Sequence, residues 1–137
     1  MSKHETWRTR LFWKTTGGLL LEEFMLVKGS RGQGSGRRLI DGLIVLGEPS
    51  AISVGRDFNI EGRDVIAVQT KAQRLGMYLM GQAFFSRELL KQKCPRSIRT
   101  VAICAKGDSE LEALCKDHGI EVVIIPASRH DEDSFST

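Results

Sequence analysis

The chain has 137 residues, of which 41% are hydrophobic and 27% are charged, with a formal net charge of +3. This composition excludes a disordered, collagen-like or coiled-coil chain, and the length suits one domain built around one core. The longest apolar runs are far shorter than the roughly 20 residues of a membrane-spanning helix, so we predict a soluble protein with no membrane partner.

The N-terminal residues 1–10 are mainly polar and basic, without the apolar stretch of a secretory signal. We therefore predict a cytoplasmic protein. The three cysteines, Cys94, Cys104 and Cys115, show neither zinc-binding nor redox spacing. We predict that all three are reduced and that Cys104, which lies in an apolar run, is buried.

The first half of the chain predicts one helix followed by three strands. Apolar residues at helical spacing predict a helix over Glu5–Thr16, ended by a pair of glycines. Leu19–Lys28 and Arg37–Leu46 are apolar runs joined by the sequence GSRGQGSG, which predicts two antiparallel strands connected by a loop. After a polar loop, Asp64–Lys71 reads DVIAVQTK and predicts a third strand.

The second half predicts alternating helices and strands. Ala72–Lys91 carries apolar residues at helical spacing, and Pro95 breaks the pattern that follows it. Ile98–Ala105 is predicted to be a strand, Asp108–His118 a helix ended by glycine, and Ile120–Ile125 a final strand.

The predicted order of elements is α-β-β-β-α-β-α-β. It predicts an α/β fold with a mixed five-stranded sheet flanked by helices, because strands as uniformly apolar as the last two need both faces covered. A single domain is predicted over residues 1–126. Residues 127–137 form a polar, acidic tail that we predict to be disordered.

Asp41 is the one charged residue inside an otherwise apolar strand. A buried, unpaired carboxylate is costly, so this residue needs a cation, a partner or water. The plainer alternative is a strand-end Asp that is exposed on a sheet edge or is paired with Arg37 or Lys71. Gln69 and Lys71 are two residues apart in a predicted strand and are expected to leave the same face, converging with Asp41 on one site.

The segments RRLIDGLIV around Asp41 and VIAVQTK ending at Lys71 resemble the PD-(D/E)XK, or restriction-endonuclease-like, nuclease superfamily. The core of that superfamily is α-β-β-β-α-β, with Asp on the second strand and (D/E)-x-K on the third. The resemblance covers residues 5–105. The glycine-rich loop before the Asp strand is also similar to the layout of archaeal Holliday-junction resolvases, which is a weaker likeness.

The resemblance implies a restriction-endonuclease-like domain that hydrolyses phosphodiester bonds in DNA with Mg²⁺ or Mn²⁺. It implies metal ligands at Asp41, at Gln69 and at one further acid, with Lys71 positioning the attacking water. Glu5, Glu22 and Glu23 are the candidates for the further acid, and Glu22 is slightly favoured. A homodimer is the expected assembly if both strands of a duplex are cut, since a symmetric substrate suits a symmetric enzyme.

Two positions depart from the superfamily pattern: Gln69 replaces the usual acid, and Ile40 stands where proline often precedes the Asp. The carboxamide of Gln69 offers a neutral oxygen, so it would hold a metal less tightly than a carboxylate. The alternative function is therefore a weakly active or inactive nucleic-acid-binding module on the same fold.

Four arginines are the predicted nucleic-acid contacts. Arg31, Arg37 and Arg38 lie in or beside the glycine-rich loop, and Arg74 follows Lys71 closely enough to reach a phosphate. The alternative for the loop is plain flexibility with a solvated basic face. Tyr78 resembles a residue of some of these nucleases only loosely, and a position in the core is favoured for it.

Overall fold

A computed structural model of the chain describes residues 2–54 and 57–127, so most of the predicted acidic tail lies outside the described residues. Within these ranges the chain forms three α-helices, six strands and one 3₁₀ turn. In chain order they are α1 (Lys3–Thr16), β1 (Leu19–Val27), the 3₁₀ turn (Arg31–Gln33), β2 (Arg38–Val45), β3 (Ala51–Ser53), β4 (Asp64–Thr70), α2 (Met77–Lys91), β5 (Ser97–Cys104), α3 (Ser109–Asp117) and β6 (Ile120–Ile124).

The strands form one mixed sheet in the order β3-β1-β2-β4-β5-β6. Strand β2 is antiparallel to both of its neighbours, β1 and β4, whereas β4, β5 and β6 run parallel to one another. The predicted α/β class and mixed sheet are confirmed. The predicted count of five strands is wrong, because Ala51–Ser53 pairs in parallel with the start of β1. Three exposed residues in a polar loop are too short for a periodic signal.

Helices cover both faces of the sheet. Ile66 and Val68 of β4 pack on the face of α1, together with Phe12. Val65 and Ala67, which alternate with them, pack on the opposite face in a cluster that includes Leu90 of α2. Helix α3 joins α2 on this second face through a further cluster that includes Cys104 and Cys115. The prediction that Cys104 is buried is confirmed, and all three cysteines are free.

Helix α2 begins at Met77 rather than at the predicted Ala72. The intervening residues hydrogen-bond to the chain that follows β5: Ala105 N donates to the Gln73 carbonyl at 2.8 Å, and Leu75 N donates to that of Lys106 at 2.8 Å. These bonds hold the segment out of a helical conformation. The side chains at its start therefore lie at the end of the sheet, where β4 stops.

Helix α1 begins at Lys3, two residues before the predicted start. The Ser2 side chain caps it by accepting a hydrogen bond from the backbone N–H of Glu5. The sequence Ser-x-x-Glu at residues 2–5 is a helix-start signal, and it accounts for the earlier start. Glu5 consequently lies in the first turn of α1. No helix in residues 2–54 and 57–127 has the length and apolar character needed to span a bilayer.

Candidate active site

Asp41 lies where the ladder between β2 and β4 ends. The last recorded pair of that ladder is Gly42 with Val68. One residue beyond it, the Oδ2 atom of Asp41 accepts a hydrogen bond from the backbone N–H of Thr70 at 2.8 Å. The carboxylate thus takes the place of a strand carbonyl, which fixes a half-buried acid at the mouth of the diverging strands.

Gly42 lets α1 approach the sheet beside this acid. A Cβ atom at position 42 would lie 2.9 Å from the Cγ2 atom of Thr9 in α1, closer than such contacts allow. Thr9 also shares a hydrogen bond of 2.8 Å with the hydroxyl of Thr70 in β4. In the Asp-Gly pair of β2, Asp41 therefore supplies the acid, and Gly42 allows the close packing that brings the first turn of α1 near Asp41.

Burial raises the pKa of Asp41 to about 6. The hydrogen bond from Thr70 lowers this pKa, the negative charge of Glu5 raises it, and the positive charge of Lys71 lowers it. Asp41 therefore interacts electrostatically with both Glu5 and Lys71. The net result is a carboxylate whose ionised form lacks full compensation, as the apolar sequence around it predicted.

Lys71 and Glu5 form an ion pair at the same end of the sheet. The Nζ atom of Lys71 is 3.7 Å from Oε1 of Glu5, and it lies 5.4 Å from the centre of the Tyr78 ring. The ammonium group is thus held between the first turn of α1 and the first turn of α2. Three of the candidate groups, Asp41, Glu5 and Lys71, come together here.

Glu22, the acid favoured from the sequence, is engaged elsewhere. Its two carboxylate oxygens accept hydrogen bonds from Nε and Nη2 of Arg10, each at 2.9 Å, in a bidentate pair. Glu23 adopts a φ of 54°, which is unusual for a residue other than glycine. Of the three candidates, the structure brings Glu5 to Lys71, whereas Glu22 is paired with Arg10.

Gln69 does not join Lys71. Its side chain is only 4% exposed, and its Nε2 atom donates a hydrogen bond of 2.8 Å to the hydroxyl of Ser86 in α2. It lies on the α2 face with Val65 and Ala67, as strand alternation requires. Lys71 is beyond the last residue of β4, where the chain leaves the sheet, and its side chain reaches Glu5 instead.

A cavity of about 470 Å³ opens beside the ion pair, and we call it the first cavity. Its walls include Glu5, Lys71, Arg74, His4 and Tyr78. Asp41 is not part of the wall but interacts electrostatically with Glu5 and Lys71, which are. The predicted phosphate contact Arg74 therefore lies beside Lys71, and His4, which had no predicted role, lines the same cavity.

Tyr78 is 72% exposed, so the expectation that it belongs to the core is wrong. The helical spacing that suggested a buried position assumed a helix starting at Ala72, whereas α2 starts at Met77 and has Tyr78 in its first turn. A ring in that turn stands at the edge of the sheet, where it faces the ammonium group of Lys71.

Two of the remaining predicted nucleic-acid contacts, Arg31 and Arg37, lie in the connection between β1 and β2, and the third, Arg38, is the first residue of β2. Arg31, Arg37 and Arg38 are all exposed. Arg31 begins the 3₁₀ turn, and a bridge between Ser30 and Ser35 closes the loop around it. The loop and the start of β2 thus present three guanidinium groups to solvent, and the connection has local structure of its own.

Among the residues that the structure describes, no group of three or more His, Cys, Asp or Glu side chains is arranged to hold a metal ion. Comparisons of the chain with protein-family models, with curated proteins and with solved structures found no match.

Proposed function

We propose that this protein is a metal-dependent nuclease that hydrolyses phosphodiester bonds in DNA. The observation that carries the proposal is the convergence of Asp41, Glu5 and Lys71 at the end of the sheet, beside a cavity that also contains Arg74. Glu5, Lys71 and Arg74 at the opening, with Asp41 behind them, suit a polyanionic substrate whose reacting phosphate needs both a metal and positive charge.

The order of elements supports a restriction-endonuclease-like fold for this site. With the short edge strand β3 set aside, the chain runs α-β-β-β-α-β from α1 to β5. Asp41 is on the second of those strands, and Lys71 directly follows the third. This is the arrangement of the PD-(D/E)XK superfamily, which the two sequence segments around Asp41 and Lys71 resemble.

The acids present are suited to a divalent cation. Asp41 has a raised pKa because it is buried, and the neighbouring charge of Glu5 raises that pKa further. A hard dication prefers carboxylate oxygens and would relieve this excess of negative charge. Gln69 as a third ligand stays a prediction, since its amide group is bonded to Ser86.

A bound Mg²⁺ or Mn²⁺ would supply Lewis-acid polarisation of the phosphate and a more acidic water molecule. Lys71 can donate a hydrogen bond from Nζ to that water or to a phosphate oxygen, and its pairing with Glu5 keeps it at the cavity wall. Arg74 offers a planar group that binds a phosphate through two parallel hydrogen bonds. Hydrolysis places hydroxide on phosphorus and the remaining proton on the leaving oxygen.

Cleavage assays test the proposal directly. Purified protein is incubated with supercoiled plasmid and with a labelled duplex, in Mg²⁺, in Mn²⁺ and in EDTA, alongside Asp41→Asn. Metal-dependent strand breaks that disappear in the variant support the proposal. Breaks that persist equally in Asp41→Asn, prepared identically, would trace the activity to a contaminant and refute it.

The second candidate function is a nucleic-acid-binding module that does not hydrolyse DNA. The neutral Gln69 and the lack of a three-ligand metal cluster in the described residues favour it. Tight, salt-sensitive DNA binding without cleavage in either metal would select this function.

For the nuclease function, with cleavage of both strands, we propose a symmetric homodimer that acts in the cytoplasm. Sedimentation of the protein on a palindromic duplex tests the dimer.

A further inference from the structure

A second cavity, of about 610 Å³, lies on the α2 face of the sheet. It is walled by the first residues of β2, the end of β1 and one side of α2. Leu26, Leu39 and Leu89 supply apolar surface, and Gln69, Gln82 and Ser86 supply polar groups. Tyr78 lines both this cavity and the first one, so the two open on either side of a single aromatic ring.

The polar groups of this second cavity are not all satisfied by the protein. Among the described residues, the side-chain carbonyl oxygen of Gln82 is buried without a hydrogen-bond partner. A buried polar atom of this kind usually has a partner, so an unpaired one calls for an explanation such as a bound molecule. The Gln82 amide carries both donors and acceptors, and a turn about its terminal torsion presents either to the cavity.

The rim of the second cavity is unusually rich in exposed large side chains. Met77, Tyr78 and Phe85 are 68%, 72% and 65% exposed, and all three line the cavity. Exposed aromatic rings beside hydrogen-bonding amides match an unstacked nucleobase, which has two flat faces and a polar edge. Arg38, also on the rim, matches the phosphate attached to such a base.

We propose that the second cavity binds an unpaired nucleobase of a nucleic-acid strand. Tyr78 or Phe85 stacks on the base, the amide of Gln82 bonds to its edge, and Arg38 holds its phosphate. The link to strand cleavage rests on the proposed function: a strand crossing Tyr78 would place a neighbouring phosphate in the first cavity, beside Lys71. The substrate would then be DNA with an unpaired or opened base beside the cleaved phosphate, whether in a single strand or within a duplex.

Gly81 provides a variant that blocks the second cavity without damaging the fold. It lines the cavity within α2, and no atom lies within 4 Å of the Cβ that a side chain would add. Gly81→Leu therefore fills the opening, and it should raise the thermal midpoint because leucine favours helix more than glycine does. Phe85→Ala removes one stacking ring instead. Leu114→Ala is the matched control, since Leu114 is exposed on α3 and lines a neighbouring apolar groove.

The experiment measures binding of two short single strands in EDTA, at one salt concentration, by fluorescence anisotropy. One strand carries bases, and the other has the same sugar-phosphate backbone without bases. The parent protein should bind the base-bearing strand at least about fivefold more tightly, as expected for one stacked base. Gly81→Leu and Phe85→Ala should lose this preference, whereas Leu114→Ala should keep it.

Two results would overturn the proposal. Equal affinity of the parent for the two strands would show that only the backbone is bound. Dimerisation in sedimentation that both Phe85→Ala and Leu114→Ala abolish would show that this face joins two copies of the chain. Binding is measured without metal and is therefore independent of cleavage. A preference for the base-bearing strand, together with no cleavage in the separate assays with Mg²⁺ and Mn²⁺, would count against the nuclease function alone.

Discussion

The carboxylate of Asp41 and the backbone N–H of Thr70 are joined by a hydrogen bond of 2.8 Å between neighbouring strands that have stopped pairing through their backbones. This bond keeps the acid at the point of divergence, and its donor Thr70 is the last residue of β4, directly before Lys71. It lowers the pKa of Asp41, but burial outweighs it and the pKa stays at about 6. The site thus contains a carboxylate whose ionisation opposes folding, and this has a measurable consequence.

Asp41→Asn should stabilise the protein at neutral pH. The folded pKa of about 6 exceeds the value of about 3.9 for an unfolded aspartate, so the folded state holds the proton more tightly. The contribution of Asp41 to stability is therefore greatest below about pH 4 and is lost as the pH rises through about 6. Urea unfolding should give Asp41→Asn an advantage of about 1–3 kcal/mol at about pH 8 and none near pH 3.5.

Mg²⁺ should reduce the stability advantage of Asp41→Asn over the parent if Asp41 is a metal ligand. Binding to the folded state raises the thermal midpoint of the parent, while Asn at position 41 has lost the anionic oxygen. Equal midpoints for parent and variant at about pH 8 without metal would contradict the raised pKa. An equal Mg²⁺ response in both proteins would remove Asp41 from the metal site.

A pair of conservative variants distinguishes the roles of Glu5 and Glu22. Glu5→Gln should lower cleavage about 100-fold or more, because it removes a charge that faces Asp41 and Lys71. Glu22→Gln should leave the cleavage rate within about twofold of the parent and cost about 1 kcal/mol of stability, through loss of the bidentate pair with Arg10. Initial rates and urea midpoints measure both; the opposite pattern in the rates would restore Glu22.

Gln69→Glu tests whether position 69 serves the metal. A carboxylate there would be nearly inaccessible to water and would lose the amide donor that Ser86 now accepts, so we expect about 1–3 kcal/mol of destabilisation, equal with and without Mg²⁺. Melting curves of both proteins in Mg²⁺ and in EDTA give the comparison. A larger Mg²⁺-dependent rise in the variant than in the parent would return Gln69 to the metal site.

The sequence predicted the order of the main elements well because long apolar runs have a period that reports strand or helix. It also singled out Asp41, since one charge in an apolar strand needs a local cause. The edge strand Ala51–Ser53 was missed because three exposed residues have no period, and its pairing with β1 depends on tertiary contact.

The composition of the site was harder to predict than its location. Alternation placed Gln69 and Lys71 on one face, but β4 ends at Thr70, so the rule no longer holds at Lys71. The choice among Glu5, Glu22 and Glu23 required knowing which acid already had a partner. The ion pair between Arg10 and Glu22 joins a helix to a strand, and no sequence pattern indicates it. The Ser2-x-x-Glu5 capping pattern, in contrast, could have placed Glu5 in the first turn of α1.

The arginine loop between β1 and β2 should act through phosphate contacts. The triple variant Arg31→Ala, Arg37→Ala and Arg38→Ala should bind duplex DNA more weakly, with a plot of log affinity against log salt that is less steep by up to about 3, since each phosphate contact contributes about 0.9. The matched control replaces Lys91, Arg96 and Arg99 with alanine. It removes the same charge, but those side chains are already paired with Glu88, Asp64 and Glu121. Anisotropy titrations at several salt concentrations give both slopes. An unchanged slope in the loop variant would show that the loop does not contact the DNA backbone. An equal change of slope in the control would show that net charge alone governs binding.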